Sequence, residues 1–106
     1  MSIDLYIYSG LGNIIAIIDS LRNDISINSE DVLKIYQNHK IDFDQLILVL
    51  PPEEPKNDFD AKIYNNDGSI ASNCINGARC VSKFLEDHSL CASKKVKVKT
   101  DGGIWY

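Results

Sequence analysis

Cys74 opens the segment Asn73-Cys74-Ile75-Asn76-Gly77-Ala78-Arg79, and the residues behind it carry the apolar spacing of a helix. A cysteine at a helix N-terminus faces backbone N–H groups with no acceptor inside the helix and the positive end of the helix dipole. Both favour thiolate over thiol and suit the side chain to proton or nucleophile chemistry. The N–H groups of Ile75, Asn76 and Gly77 would cradle a carboxylate or phosphate. Arg79 offers either a further anion contact or an ordinary exposed charge. The competing reading of Cys74 is a small buried hydrophobe, the commonest fate of a cysteine outside a disulfide.

The other reactive types carry weaker signals. Cys80 falls inside the helix as an apolar filler, and Cys91 lies in a polar connection without an activating partner. No CxxC pair accompanies the three cysteines, and His39 and His88 have no ligand-like spacing, so no metal site is expected. Each histidine closes a helix, where a cation complements the dipole. Asn13, Asn65 and Asn76 sit at turns beside strand or helix ends, and Gln45 precedes an apolar run. Such amides can give donors and acceptors to a polar ligand, although asparagine is also a favoured turn residue anywhere.

The elements that must position these groups follow from periodicity. Residues 3–8 alternate as a strand, Ser9-Gly10-Leu11-Gly12-Asn13 breaks it, and the β-branched run 14–18 returns as the second arm of a hairpin. Behind an Asn28-Ser29 cap, Val32, Leu33, Ile35 and Tyr36 recur at helical spacing, with Glu30 and Asp31 in the first turn and an end near His39. Leu46 to Leu50, stopped by Pro51-Pro52, reads as a buried strand. Phe59 to Tyr64 alternates and ends in the turn signal Asn65-Asn66-Asp67-Gly68-Ser69. The helix from Gly77 to about Leu85 carries apolar groups over most of its circumference and should pack inside a sheet. A strand over 96–100 and a turn at Asp101-Gly102-Gly103 lead into Ile104, Trp105 and Tyr106.

Composition bounds what these elements can do. With 106 residues and 44% apolar content, the chain suits one domain spanning 1–106. A net charge of −4 gives no positive field for nucleic acid or anionic lipid, and Lys94, Lys95, Lys97 and Lys99 alternate with valines as one solvated strand face. No apolar run approaches the ~20 residues of a membrane span, and no secretory pattern opens the chain, so a cytoplasmic location is expected.

Taken in order, Gly10-Leu11-Gly12-Asn13, Phe43-Asp44-Gln45-Leu46, Tyr64-Asn65-Asn66-Asp67-Gly68-Ser69 and Cys74-Ile75-Asn76-Gly77-Ala78-Arg79-Cys80 resemble the successive motifs of diaminopimelate epimerases. The resemblance spans almost the whole chain. It implies a mixed α/β (α+β) half-domain of mostly antiparallel strands wrapped around one central helix, one of two similar halves with an amino acid substrate between them. It further implies an isomerase that needs neither pyridoxal phosphate nor metal. One cysteine thiolate takes the α-proton of LL-diaminopimelate and a second thiol returns a proton to the opposite face, giving the meso isomer for lysine and cell-wall precursor synthesis. Cys74 matches the catalytic cysteine, and Asn13, Gln45, Asn65, Ile75 and Asn76 match substrate contacts, Asn65 at the distal end of diaminopimelate.

Three positions depart from the family pattern. Asn13 is followed by Ile14-Ile15 in place of Asp-Phe, Ser9 replaces a histidine, and Ile75 replaces the glycine after the cysteine. A β-branched residue at 75 is expected to crowd the carboxylate cradle. The resemblance also places a second half, with its own cysteine, beyond this sequence. The chain alone is therefore expected to be inactive, as a fragment or truncation completed by that half or, less simply, by a second copy. The alternatives are a non-catalytic module that binds an amino acid or carboxylate, and an inactive fragment.

Overall fold

In the computed structural model, residues 5–10, 12–21, 26–38, 42–71, 75–88, 97–100 and 103–105 are described. The elements run β1 (Tyr6–Gly10), β2 (Asn13–Asp19), α1 (Ser29–Asn38), β3 (Gln45–Leu50), β4 (Phe59–Asn65), β5 (Ile70–Ala71), α2 (Ile75–Asp87), β6 (Val98–Thr100) and β7 (Gly103–Trp105). The strands form one sheet in the order β1-β2-β3-β4-β6-β7, with β5 hydrogen-bonded to β4 off that path. Four pairings are antiparallel, while β2–β3 and β4–β6 are parallel. The fold is thus mixed α and β with a mostly antiparallel sheet, as the motif resemblance implies.

The parallel β2–β3 pair explains two unbroken apolar runs. Strands covered on both faces read as continuous rather than alternating hydrophobes. Ile15 and Ile17 of β2, Ile47 and Val49 of β3 and Ala61 and Ile63 of β4 pack on one face against Cys80, Val81, Phe84 and Leu85 of α2. Ala16 and Ile18, with Leu46, Leu48 and Tyr64, pack on the other against Val32 and Ile35 of α1. At roughly 1.5–3 kcal/mol for each large apolar side chain fully removed from water, these two layers are the main favourable term holding the helices to the sheet. The connection from β2 through α1 to β3 is a crossover, which a parallel pair requires.

The start of α1 is set by a reciprocal cap: Asn28 Oδ1 accepts from Asp31 N at 2.9 Å, and Asp31 Oδ2 accepts from Asn28 N at 3.0 Å. This places an acidic side chain at the positive end of the dipole as well as satisfying two donors. The helix α2 is longer than the spacing predicts, starting at Ile75 and ending at Asp87. It is also less enclosed: Arg79, Ser82, Lys83, Glu86 and Asp87 form an exposed stripe opposite the buried one. Ala78 and Ser82, which make the sequence look apolar or small all round, lie half-buried and exposed respectively.

At the C-terminal end of α2, Asp87 opposes the dipole, and two partners offset that. Lys83 Nζ lies 3.2 Å from Asp87 Oδ1, and the Tyr8 hydroxyl donates to Asp87 Oδ2 at 3.0 Å. These contacts, Lys83 first, hold the Asp87 carboxyl below the usual carboxylate range. His88 follows the helix, and its ring packs against Tyr6 and Phe84 at centroid distances of 4.6 and 4.8 Å. Its placement is therefore fixed by aromatic packing as well as by the helix end. His39 and Cys91 lie outside the described residues.

The hairpin joining β1 to β2 is tighter than the five-residue break in the sequence suggests. β1 extends to Gly10, which pairs with Asn13, so Ser9, Gly10 and Asn13 of that break belong to the two strands. Gly12 supplies a φ of +87°, which an L side chain rarely adopts. The strand β5 has no counterpart among the sequence expectations: Ile70 and Ala71 turn back along Tyr64 and Ile63. Among the described residues no helix is long and apolar enough to cross a membrane.

Candidate active site

Asn13, Gln45 and Asn65 begin β2, begin β3 and end β4, and those three strands are neighbours in the sheet. Side chains alternate across a strand, so Asn13 shares a face with Ile15 and Ile17, Gln45 with Ile47 and Val49, and Asn65 with Ile63 and Ala61. All three continue the apolar rows that meet α2. They lie on one face at one end of the sheet, each partly buried.

The register ties them together. Gln45 is directly opposite Asn65, and Gln45 Nε2 donates to Asn65 Oδ1 at 3.3 Å. Gln45 also pairs with Ile15 of β2, two residues beyond Asn13. Asp44 fastens the start of β2: its Oδ2 accepts from Ile14 N at 2.7 Å and its N donates to Ile14 O at 2.8 Å. Asn66 Nδ2 donates to Phe43 O at 3.3 Å, joining the β4–β5 turn to the residues that precede Gln45.

That turn is organised from within. Asn65 N donates to Ser69 O at 2.8 Å and Gly68 N to Asn65 O at 2.9 Å. Asp67 Oδ1 accepts both Ser69 N at 2.9 Å and Ser69 Oγ at 2.6 Å, and Asn65 Nδ2 donates to Ser69 Oγ at 3.0 Å. The hydrogen bonds from Ser69, side chain first and backbone second, keep the Asp67 carboxyl below its ordinary range. Gly68 has a φ of +90°, and a Cβ there would lie 2.5 Å from Ser29 O. The turn thus rests directly on the first residue of α1.

Cys74, the expected catalytic residue, lies outside the described residues, as do the side chains of Ile75 and Asn76. The backbone of Ile75 and Asn76 forms the first turn of α2. Three residues separate Ala71, which pairs with Ile63, from Ile75. At ~3.8 Å per Cα step the helix start is therefore within roughly 15 Å of Ala71. First-turn N–H groups lack acceptors inside a helix and carry partial positive charge, which suits them to a carboxylate. Arg79 is exposed, and Cys80 is a buried core residue, in keeping with its reading as a filler.

Asp67 and Ser69 are absent from the sequence-derived site residues. Their spacing carried a usable signal, since an aspartate two residues before a serine, with glycine between, is the pattern of a side-chain-capped turn. Among the described residues no group of three or more His, Cys, Asp or Glu could hold a metal ion.

Comparison with known proteins identifies the family and the fold. Residues 5–105 match the family model of diaminopimelate epimerase. A diaminopimelate epimerase of Laribacter hongkongensis is 41% identical over 96 residues, covering 90% of this chain and 34% of that protein. One of Stutzerimonas stutzeri is also 41% identical over 96 residues, covering 90% and 35%. The chain therefore spans about a third of the length of these relatives. Two more distant structures share the fold: a Bacillus anthracis phenazine biosynthesis protein of the PhzF family (TM-score 0.72, 20% identity, 96% of this chain and 34% of that one) and a methylitaconate-delta-isomerase (TM-score 0.71, 17% identity, 96% and 55%). With a family model matched over nearly its whole length and the amides of three successive motifs gathered at one end of its sheet, this chain belongs to the diaminopimelate epimerase family.

Proposed function

We propose that the chain forms one half of a cofactor-independent diaminopimelate epimerase that acts in cytoplasmic lysine and cell-wall precursor synthesis. The observation that carries the reading is the shared end and face of Asn13, Gln45 and Asn65, with Gln45 bonded to Asn65. Residues far apart in sequence converge as a set of oriented amide donors and acceptors, as recognition of a zwitterionic amino acid requires. Membership of the family supplies the substrate class.

In this reading the Cys74 thiolate takes the proton from the substrate α-carbon, and the electron pair left there delocalises into the α-carboxylate. N–H groups at the start of α2 stabilise that developing charge. A second thiol, from another part of the polypeptide or from a second copy of the chain, delivers a proton to the opposite face. One C–H bond breaks and one forms, so the two cysteines exchange protonation states and the substrate changes only its configuration.

The test is exchange at Cα. The chain is incubated with LL-diaminopimelate in D2O at protein concentrations spanning monomer and dimer, and deuterium incorporation is followed by proton NMR. Exchange is expected only where two thiols can meet, and Cys74→Ser should abolish it. A monomer exchanging deuterium into both isomers would overturn the two-thiol reading. Ile75 at the head of α2 favours a second reading, a module that binds an amino acid without turnover. Ligand-dependent stabilisation without exchange at any concentration, unaffected by Cys74→Ser, would select it.

A further inference from the structure

Asn65 is an amide, and an amide is useful to a ligand only if its oxygen and nitrogen are the right way round. Nothing in the shape of the side chain decides this, because the two ends are nearly isosteric. The β4–β5 turn contains a group that does decide it. The Asp67 carboxylate is acceptor-only when ionised, so the Ser69 hydroxyl, 2.6 Å away, must donate to it. A hydroxyl has one proton. With that proton committed, Ser69 Oγ can only accept from Asn65, which must therefore present its Nδ2 at 3.0 Å. The Asn65 oxygen is then turned toward Gln45, which must present its Nε2 at 3.3 Å.

We infer that Asp67 and Ser69 are positioning residues whose one-way chain of hydrogen bonds, Gln45 to Asn65 to Ser69 to Asp67, fixes the donor and acceptor polarity of the amide pair offered to substrate. The inference rests on the proposed function for its purpose but not for its existence. Both residues are exposed on the turn rather than in the ligand-facing row, so they act through Asn65. The ordering also costs the fold little. The turn backbone is closed by Asn65 N to Ser69 O and Gly68 N to Asn65 O, which need neither side chain, with Ser69 N to Asp67 Oδ1 as one further tie. Like other short, charge-terminated chains, this one gains strength from the fully ionised acceptor at its end.

Four variants of this chain separate the relay from the fold and from the functional reading: Ser69→Ala, Ser69→Thr, Asp67→Asn and Asn65→Ala. The first readout needs no ligand: the side-chain amide protons of Asn65, assigned by nitrogen-15 NMR, and their exchange with water. One proton is expected to be protected in the parent chain. Ser69→Ala should expose it, and Ser69→Thr should restore it by returning a hydroxyl. Asp67→Asn should leave two interconverting amide environments, because the side chain it introduces can donate as well as accept. Asn65 signals indifferent to Ser69→Ala and Asp67→Asn would overturn the inference outright.

The second readout is binding of meso-diaminopimelate, with lysine as the comparison ligand lacking one carboxylate. Ser69→Ala is expected to weaken diaminopimelate binding roughly five- to tenfold, about one hydrogen bond, while narrowing its preference over lysine, and Ser69→Thr should recover both. If Asn65→Ala weakens binding but Ser69→Ala does not, the positioning role fails and the proposed function stands. If neither the parent chain nor any variant binds, the functional reading fails for this chain, and the amide-proton result still decides whether the relay exists.

Discussion

Gln45 and Asn65 stand opposite each other in the β3–β4 ladder and are joined side chain to side chain at 3.3 Å, although twenty residues separate them in sequence. Cross-strand polar pairs of this kind are worth roughly 0.2–1 kcal/mol. A double-mutant cycle of Gln45→Ala and Asn65→Ala, followed by urea denaturation, should give a coupling energy in that range. Strictly additive losses would mean the two amides act independently, and their common orientation would then have another cause.

The two glycines with positive φ make unequal predictions. A Cβ at Gly12 meets nothing within 4 Å, so Gly12→Ala should cost only backbone strain, about 1 kcal/mol. At Gly68 the same strain is joined by a collision with the Ser29 carbonyl, and the loss should reach about 2–3 kcal/mol. Thermal melts of both variants would check the order, and equal losses would show that the turn and α1 separate without cost.

Tyr8 should make folding sensitive to alkali. Burial first, then its hydrogen bond to the Asp87 carboxylate, pushes its hydroxyl up from the ordinary 10.0 to about 12. A tyrosine that holds its proton more tightly when folded contributes stability that is complete below its unfolded value. That contribution is lost as pH rises through the folded one. Urea midpoints measured from pH 9 to pH 12 should therefore fall more steeply for the parent chain than for Tyr8→Phe, and Tyr8→Phe should remove a late-titrating component from absorbance at the phenolate band. At neutral pH, Tyr8→Phe should cost about 1 kcal/mol, since it removes one hydrogen bond and leaves the ring contact with Phe84.

Asn57 is only 3% exposed, and neither its Oδ1 nor its Nδ2 has a hydrogen-bond partner among the described residues. A buried amide in that condition carries a desolvation cost of roughly 1–3 kcal/mol. Asn57→Leu, of similar size, should be neutral or stabilising by about 1 kcal/mol. Asn57→Asp should be destabilising near neutral pH, because it buries a charge at a site that offers it no hydrogen-bond partner among the described residues. Calorimetric melting of both variants distinguishes this from a structural role for the amide.

Much of the fold was legible because local signals and burial agreed. The β3 run ends at Pro51-Pro52, which cannot continue a ladder, and α1 begins where Asn28 and Asp31 can cap each other. What could not be read was set by distant partners. β5 is two residues long and exists because Tyr64 and Ile63 offer an edge. The exposed stripe of α2 was masked by Ala78 and Ser82, small residues that fit either side of a helix. For the candidate site, the motif order named Asn13, Gln45 and Asn65, and the structure brings them to one end of one face. The bond between Gln45 and Asn65 needed the strand register, which no local pattern specifies. Asp67 and Ser69 escaped notice because a turn signal explains them fully until their hydrogen bonds are seen to lead elsewhere.

The crossover from β2 through α1 to β3 sets Asn13 apart from the other two amides in the length of chain that joins them. Gln45 and Asn65 are joined by an antiparallel pair with a short proline-containing loop between its strands. Asn13 is held beside them by the parallel β2–β3 pairing, whose crossover through α1 closes a longer loop at a greater entropic cost. Since Gly68 seats the amide turn against the first residue of α1, the helix that completes this crossover also arrives at the back of the turn. One helix therefore both completes the crossover that carries Asn13 to this end of the sheet and backs the turn that follows Asn65.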